Sequence, residues 1–272
     1  MRAGRIVAVV AIFTGVFALT FPTEGLVRWA LARALPPGGP RMEFGQASLR
    51  PWGIRLAPAT LRDADGYRIA AADWLVARPS LLGFVHDRAG RPWRATGAAY
   101  GGTFSAVLDV EAADLEWHDV DLARVPTLIV AGDRLAGSAG GATTLRGTPA
   151  TGGGTLDVRG LSWPTAARLL TGADTMPVDG SVWWTLAPGQ LSLDAIAAHG
   201  AGVNAKGSGS VRLAPSLGRS VLDVGLTLVP GPDTAPGLRR LIADLPPPAS
   251  GGDERRLAIT GTIDAPRFEA RP

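Results

Sequence analysis

The chain of 272 residues contains no cysteine and a single lysine, Lys206. The absence of cysteine excludes disulfide bonds, thiol catalysis and thiolate metal sites. With 27 Lys and Arg residues against 24 Asp and Glu residues, the formal net charge is only +3. No run of basic residues, and no interleaving of basic and aromatic residues, follows the pattern that tracks a phosphate backbone. The sequence therefore predicts no nucleic-acid partner.

Familiar catalytic and cofactor-binding motifs are also missing. The sequence has no Gly-Lys-Ser/Thr of a Walker A loop, and glycines 152–154 lack the strand–loop–helix setting of a dinucleotide fingerprint. Residues 207–210, Gly-Ser-Gly-Ser, lie inside a strand pattern rather than at the strand-to-helix turn of a nucleophile elbow. We therefore predict a protein that is not an enzyme, with no catalytic residues, no metal ligands and no cofactor.

His118 is the one histidine that stands among several carboxylates, within residues 116–121. Strand alternation predicts one face with Glu116, His118 and Val120, and a second face with Trp117, Asp119 and Asp121. A metal or acid–base role would need further ligands that converge from elsewhere in the chain. We therefore favour a solvent-facing strand edge over a functional site.

A long apolar run occurs once, at the amino terminus. Residues 6–21 carry no charge, and Arg2 and Arg5 precede them. As a helix they would span about 24 Å, at about 1.5 Å per residue, against a bilayer core of about 30 Å. We predict a transmembrane anchor over residues 1–21, formed by Ile6, Val10, Phe13, Phe17 and Phe21. The alternative is a cleaved signal peptide, but no convincing cleavage site follows the run.

The charges around this run predict its orientation. Arg2 and Arg5 favour a cytoplasmic amino terminus, which would place the rest of the chain in the periplasm of a Gram-negative bacterium. Residues 22–40 predict a juxtamembrane helix and a Pro/Gly linker, with Pro22 as a kink and Thr23 as a cap. This helix either packs against the body or lies in the headgroup layer with Trp29 at the interface, and we favour packing.

From residue 41 onward the hydrophobic pattern has a period close to two. The high content of glycine (36) and proline (22) suits short strands and turns, and we expect about a dozen strands. Asp65-Gly66 predicts a hairpin turn. Prolines at first-turn positions predict three short helices, at residues 80–84, 164–170 and 236–245.

The predicted fold is mainly β. An amino-terminal transmembrane helix is followed by one elongated, curved antiparallel sheet over residues 41–272, with a few short helices. The glycine-rich stretches are predicted to be loops, at residues 137–141, 148–154 and 249–252. None is long enough to be an interdomain linker, so the body is predicted to be one periplasmic domain.

Eight tryptophans are an unusual content for this chain. One ring buries on the order of 200 Å², so core packing is the favoured role. The alternative is an apolar groove for lipid or for a partner strand. Trp183 and Trp184 are neighbours in a strand pattern and must point to opposite faces. At least one of them then lies off the main core, which makes this pair the candidate partner or lipid contact.

Several segments carry a resemblance to known proteins. They are residues 44–54 (FGQASLRPWGI), 59–63 (ATLRD), 72–82 (ADWLVARPSLL) and 260–268 (TGTIDAPRF). Together with the anchor they resemble the type II secretion system protein N family. More loosely, the chain is similar to AsmA-like proteins, which share the anchor, a strand, short helix and strand at the start, and a Gly-Thr-x-x-x-Pro-x-Phe end.

The resemblance implies a single-pass inner-membrane protein with its body in the periplasm. Its partners would be the inner membrane and other secretion-system subunits, and the family supplies no catalytic residues. The AsmA-like similarity implies an alternative, a lipid-handling module that binds phospholipid in an open apolar trough. The two hypotheses differ in one observable: a trough should show a continuous apolar stripe across its strands, whereas a subunit surface should be patchier.

Overall fold

The computed structural model describes residues 25, 41–50, 53–62, 66, 68–79, 93–109, 112–125, 129–130, 133–147, 150–164, 176–214, 219–247 and 254–271. The chain divides into two units, Met1–Ala99 and Tyr100–Pro272. Most of the described residues belong to one antiparallel sheet of 15 strands, which confirms the prediction of a mainly β fold.

The strands of the first unit are centred on the second one. In chain order they are β1 (Arg41–Arg50), β2 (Gly53–Arg62), β3 (Arg68–Ala72), β4 (Trp74–Pro79) and β5 (Trp93–Ala99). β2 pairs with β1, β3 and β4, and β4 pairs with β5. A small core forms where Phe44, Leu56 and Ala59 are buried together. The antiparallel pairing of β2 with β3 confirms the hairpin predicted at Asp65-Gly66.

The second unit is built mainly from long strands joined by short connections. Its first strands are β6 (Gly102–Leu108), β7 (Ala112–Asp121), β8 (Ile129–Val130), β9 (Asp133–Arg134), β10 (Ala136–Arg146) and β11 (Thr151–Ser162). The strands that follow are β12 (Val178–Ala187), β13 (Gln190–Gly200), β14 (Val203–Arg212), β15 (Val221–Pro230), β16 (Arg255–Thr262) and β17 (Ala265–Arg271). A 3₁₀ turn, Leu122–Arg124, follows β7.

Ten of these strands lie side by side in the order β6-β7-β10-β11-β12-β13-β14-β15-β16-β17. β8 and β9 pair only with each other and form a separate two-stranded sheet. Consecutive long strands pair as hairpins because the sequence alternates strand patterns with tight turns. One helix, α1 (Pro236–Ala243), separates β15 from β16, with Pro236 at its first turn.

The helix predicted at residues 236–245 is confirmed by α1, which starts at the expected proline. The helices predicted at residues 80–84 and 164–170, the latter apart from Pro164, lie outside the described residues. The predicted anchor, with Ile6, Val10, Phe13, Phe17 and Phe21, also lies outside them. Within the part of the chain that the structure describes, no helix is long and apolar enough to cross a bilayer.

The glycine loop predicted at residues 137–141 is wrong, and the loop predicted at residues 148–154 is wrong over residues 151–154. The loop predicted at residues 249–252 lies outside the described residues. Gly137–Gly141 lies inside β10, and glycines 152–154 lie inside β11. Glycine weakens a strand on its own, but it is retained where a large side chain or another backbone approaches closely. As shown below, two of these glycines lie under tryptophan rings.

The predicted faces of residues 116–121 also need a correction. Val120 pairs with Ala139 on the face of Trp117, and Asp121 pairs with Ser138 on the face of Glu116. The strand contains a β-bulge at His118 and Asp119, where Asp119 has a φ of 54°. A bulge adds one residue to one strand, so the alternation is inverted beyond it.

Candidate functional site

The ten-stranded part of the sheet in the second unit has one apolar face and one polar face. Residues that pair directly across strands point to the same side, and successive residues alternate between sides. The strand registers therefore allow the side of each paired residue to be followed from β6 to β17. We call the side that carries Trp184 the apolar face and the side that carries Trp183 the polar face.

The apolar face is continuous across all ten strands. Its larger side chains are Phe104, Leu108, Leu115, Trp117, Val120, Leu145, Leu156, Val158, Leu161, Val178, Val182, Trp184, Leu186, Leu191, Leu193, Ile196, Val203, Val211, Leu222, Val224, Leu226, Leu228, Leu257, Ile259 and Phe268. Among the paired positions of the described residues, Thr143 and Arg255 are the polar exceptions. The remaining positions are alanine, glycine or proline.

Three bulges, in β7, β11 and β13, keep this face apolar. In β11 the added residue lies between Val158 and Leu161. In β7 the apolar residues are Leu115 and Trp117 before the bulge and Val120 after it, so the sequence pattern shifts by one residue at the bulge itself. In β13 the same shift separates Leu193 from Ile196, and the register shifts between them. Without an added residue, every side chain beyond these points would change face. The period-two pattern of apolar residues shifts by one residue at each bulge, and the added residue keeps the apolar side chains on one face.

Most side chains of the apolar face are half-buried. Val211 and Val224 are buried, whereas Leu108, Leu115 and Phe268 are exposed. Trp117, Val182, Trp184 and Leu226 all retain partial exposure. Among the described residues, the largest side chain with less than 2 % exposure is that of Ser220. The centre of a two-layer core would instead bury its large side chains fully, because a second layer covers them. The described residues form one 15-stranded sheet and one two-stranded sheet.

Two tryptophan rings lie across glycines of the neighbouring strand. Trp117 pairs with Gly141, and a methyl group built on Gly141 would come within 2.7 Å of Cζ2 of Trp117. Trp184 pairs with Gly154 in the same way, at 2.9 Å. A ring over a glycine shields backbone that has no side chain of its own. The rings therefore lie low on the sheet and help to form its apolar surface.

Trp183 lies on the opposite, polar face and is 50 % exposed. It is flanked there by Thr155 and Ala195 on the neighbouring strands. The structure thus separates the two tryptophans that the sequence analysis considered together. Trp184 belongs to the continuous apolar face, and Trp183 is an isolated aromatic side chain on a polar surface.

The cluster around His118 is exposed on the polar face. Nε2 of His118 lies 3.2 Å from Oε1 of Glu116, and both side chains are more than half exposed. Asp157 and Arg159 line the same shallow concavity, of about 400 Å³. Among the described residues, no three or more His, Asp or Glu side chains are grouped so that they could hold a metal ion. The arrangement offers solvated charges rather than convergent ligands.

The sequence alone pointed to the individual tryptophans Trp183 and Trp184. It did not show that the apolar face extends across ten strands. The signal was present in the alternation of β12, β14 and β15, but its significance depends on which strands are neighbours. No family model matches the chain, and no curated protein or solved structure matches it either. The candidate site is therefore argued from its geometry alone.

Proposed function

We propose that the protein is a non-enzymatic lipid-handling module of the Gram-negative envelope, similar in kind to AsmA-like proteins, anchored in the inner membrane with its body in the periplasm. The apolar face of the second unit binds the acyl chains of phospholipid. One observation carries the proposal: the apolar face runs across ten strands with two polar exceptions among its described paired positions. This is the continuous stripe that distinguishes a lipid trough from a patchy subunit surface.

The chemistry of the face supports an acyl chain as the ligand. An exposed apolar surface that crosses many strands is costly in water, at about 25 cal/mol per Å², and large contiguous patches mark interaction sites. Alkyl chains need no hydrogen-bonding partner, and this face offers almost none. The polar face keeps its charges, including Asp157, Lys206 and Arg256, in contact with water.

A component of the type II secretion system remains a second candidate function. Trp183 favours it, because an exposed tryptophan on a polar surface is typical of a protein-contact hot spot. In this role the protein would contact other secretion-system subunits through the polar face. The two roles assign different faces, so one preparation can test both.

The test uses full-length protein in which a photo-reactive residue replaces one of two adjacent side chains. Val182 lies on the apolar face between Leu156 and Ile196, and Ser181 lies on the polar face between Asp157 and Ala197. Both positions are half-buried. After irradiation in native membranes, we expect phospholipid adducts at position 182 and none at position 181, as measured by mass spectrometry.

The same samples are analysed for cross-linked proteins. Secretion-system subunits attached at position 181, without lipid at position 182, would overturn the lipid proposal and support the assembly role. The neighbouring position is a matched control because both side chains belong to one strand and differ only in the face they occupy. A probe at either site leaves the rest of the chain unchanged.

A further inference from the structure

Four arginines share one face of the first unit. Arg55 pairs with Val76, and Arg78 lies two residues further along β4, so both point to the same side. Arg78 pairs directly with Arg94 on β5. Arg50 lies two residues from Ser48, which pairs with Arg55, so it also points to this side. We call this surface the arginine face.

Arg78 and Arg94 are directly opposite each other across two antiparallel strands. Like charges at such a position destabilise a sheet. Arg78 also extends over the neighbouring strand, because a methyl group built on Gly53 would lie 2.7 Å from its Cγ atom. Gly53 pairs with Arg50. Gly53 therefore leaves room for the Arg78 side chain on the strand next to Arg50.

The arginine face has no compensating acid in the described part of the chain. Its positions on β1, β2, β4 and β5 carry no Asp or Glu side chain among the described residues. Arg62 of β2 shows the contrasting arrangement: its Nε lies 2.8 Å from Oε2 of Glu43. The four arginines share this face without an acidic residue among its described strand positions, which favours an anion from outside.

The arginines surround an aromatic ring and a shallow depression. The guanidinium carbon of Arg55 lies 5.7 Å from the centre of the Trp74 ring, a distance typical of a cation–π contact. This contact orients Arg55 against the Trp74 ring. Arg50, Arg55 and Arg78 line a depression of about 470 Å³, with Val76 and Trp74 also contributing.

We propose that the arginine face binds the phosphate headgroups of anionic phospholipid at the membrane surface. A guanidinium group donates paired hydrogen bonds that match phosphate oxygens, and tryptophan is enriched at the membrane interface. β1 follows the predicted anchor and linker directly in sequence, so the inference rests on the proposed membrane anchor, which would hold this unit near the bilayer. The inference concerns the first unit and does not rest on acyl-chain binding by the second.

The test is a lipid titration of the full chain in detergent micelles, with bound lipids counted by native mass spectrometry. We expect phosphatidylglycerol to be retained at least about tenfold more strongly than zwitterionic phosphatidylcholine, and less so as salt screens the arginines. Arg94→Gln and Arg78→Gln should each reduce this preference several-fold. Arg62→Gln removes the same charge from the same unit at a paired arginine and should leave the preference unchanged.

A second readout separates binding from folding. Because Arg78 and Arg94 repel each other, Arg94→Gln should raise the thermal unfolding midpoint in the absence of anionic lipid. Phosphatidylglycerol should raise the midpoint of the original protein and of Arg62→Gln by a similar amount, and that of Arg94→Gln by less. A variant that had merely misfolded would show a lower midpoint in all conditions.

Three results would overturn the proposal. The first is equal retention of the two lipids, and the second is an unchanged preference in Arg78→Gln and Arg94→Gln. The third is full displacement of phosphatidylglycerol by inorganic phosphate at the same concentration as the lipid, which would indicate a site for free phosphate. Acyl-chain cross-linking at position 182 is measured in a separate experiment. A negative result for the arginine face would therefore not count against lipid binding by the second unit.

Discussion

At the residue scale, glycine content in this chain has a packing explanation. Gly141 and Gly154 lie in the middle of strands, where glycine costs conformational entropy. Both lie on the apolar face, and each has a tryptophan of the adjacent strand across it. The tryptophan ring occupies the space that a side chain at the glycine position would fill, so each tryptophan packs together with one glycine.

Gly154→Ala should destabilise the second unit because the added methyl group would meet the Trp184 ring and the carbonyl oxygen of Ala142. Overpacking of this kind costs about 1–3 kcal/mol in the free energy of unfolding. Gly225→Ala is the matched control, since its nearest new contact is at 3.9 Å on the polar face. Its effect should stay within about 1 kcal/mol.

Urea denaturation of the two variants, followed by tryptophan fluorescence and circular dichroism, measures this difference. Equal losses of stability in both variants would contradict the proposed packing of Trp184 over Gly154. A loss confined to Gly154→Ala would support it, because the substitution is chemically identical at the two sites.

At the element scale, α1 is a short amphipathic helix that follows β15. Ile242 is 2 % exposed, whereas its neighbour Leu241 is 53 % exposed. The approach to the helix is fixed by Thr234, whose hydroxyl oxygen lies 2.7 Å from the carbonyl oxygen of Gly202 and 2.8 Å from that of Gly231. The helix is therefore attached by one buried side chain and by a polar anchor before its first turn.

Ile242→Ala should lower the free energy of unfolding by about 2–5 kcal/mol, because it leaves a cavity under the helix. Leu241→Ala removes a comparable side chain from an exposed position and should change stability by about 0.5 kcal/mol or less. The unfolding midpoints in urea provide the comparison. If both variants lost the same stability, α1 would not be held by Ile242.

The sequence predicted α1 and most of the strands, but it misplaced some strand boundaries. Pro236 marks a first helical turn, and Asp65-Gly66 marks a hairpin, because both are local signals. Gly137–Gly141 was misread as a loop because glycine has two uses, in turns and under large side chains. The choice between them depends on Trp117, which is on a different strand and distant in sequence.

At the scale of the whole molecule, the predicted anchor over residues 1–21 would place the protein at a membrane. Full-length protein should stay with membranes after carbonate extraction, and peptides from residues 1–21 should be detected in the extracted chain by mass spectrometry. Removal of residues 1–21 should move the protein to the soluble fraction, because the apolar run supplies the membrane affinity.

A cleaved signal peptide would give the opposite result. The mature protein would then lack peptides from residues 1–21 and would be found in the soluble periplasmic fraction. The arginine face would in that case be the main membrane contact, and its affinity for anionic lipid would decide how much protein is recovered with membranes.

The sequence by itself determined that the body is mainly β, because a period of two in hydrophobicity is a local property of each strand. It also determined that Trp183 and Trp184 point to opposite sides. Only the tertiary structure decided that ten apolar sides align on one face. That alignment depends on strand order and on the bulges in β7, β11 and β13, which exist only when strands pair, since a slip of one residue would invert a strand's faces.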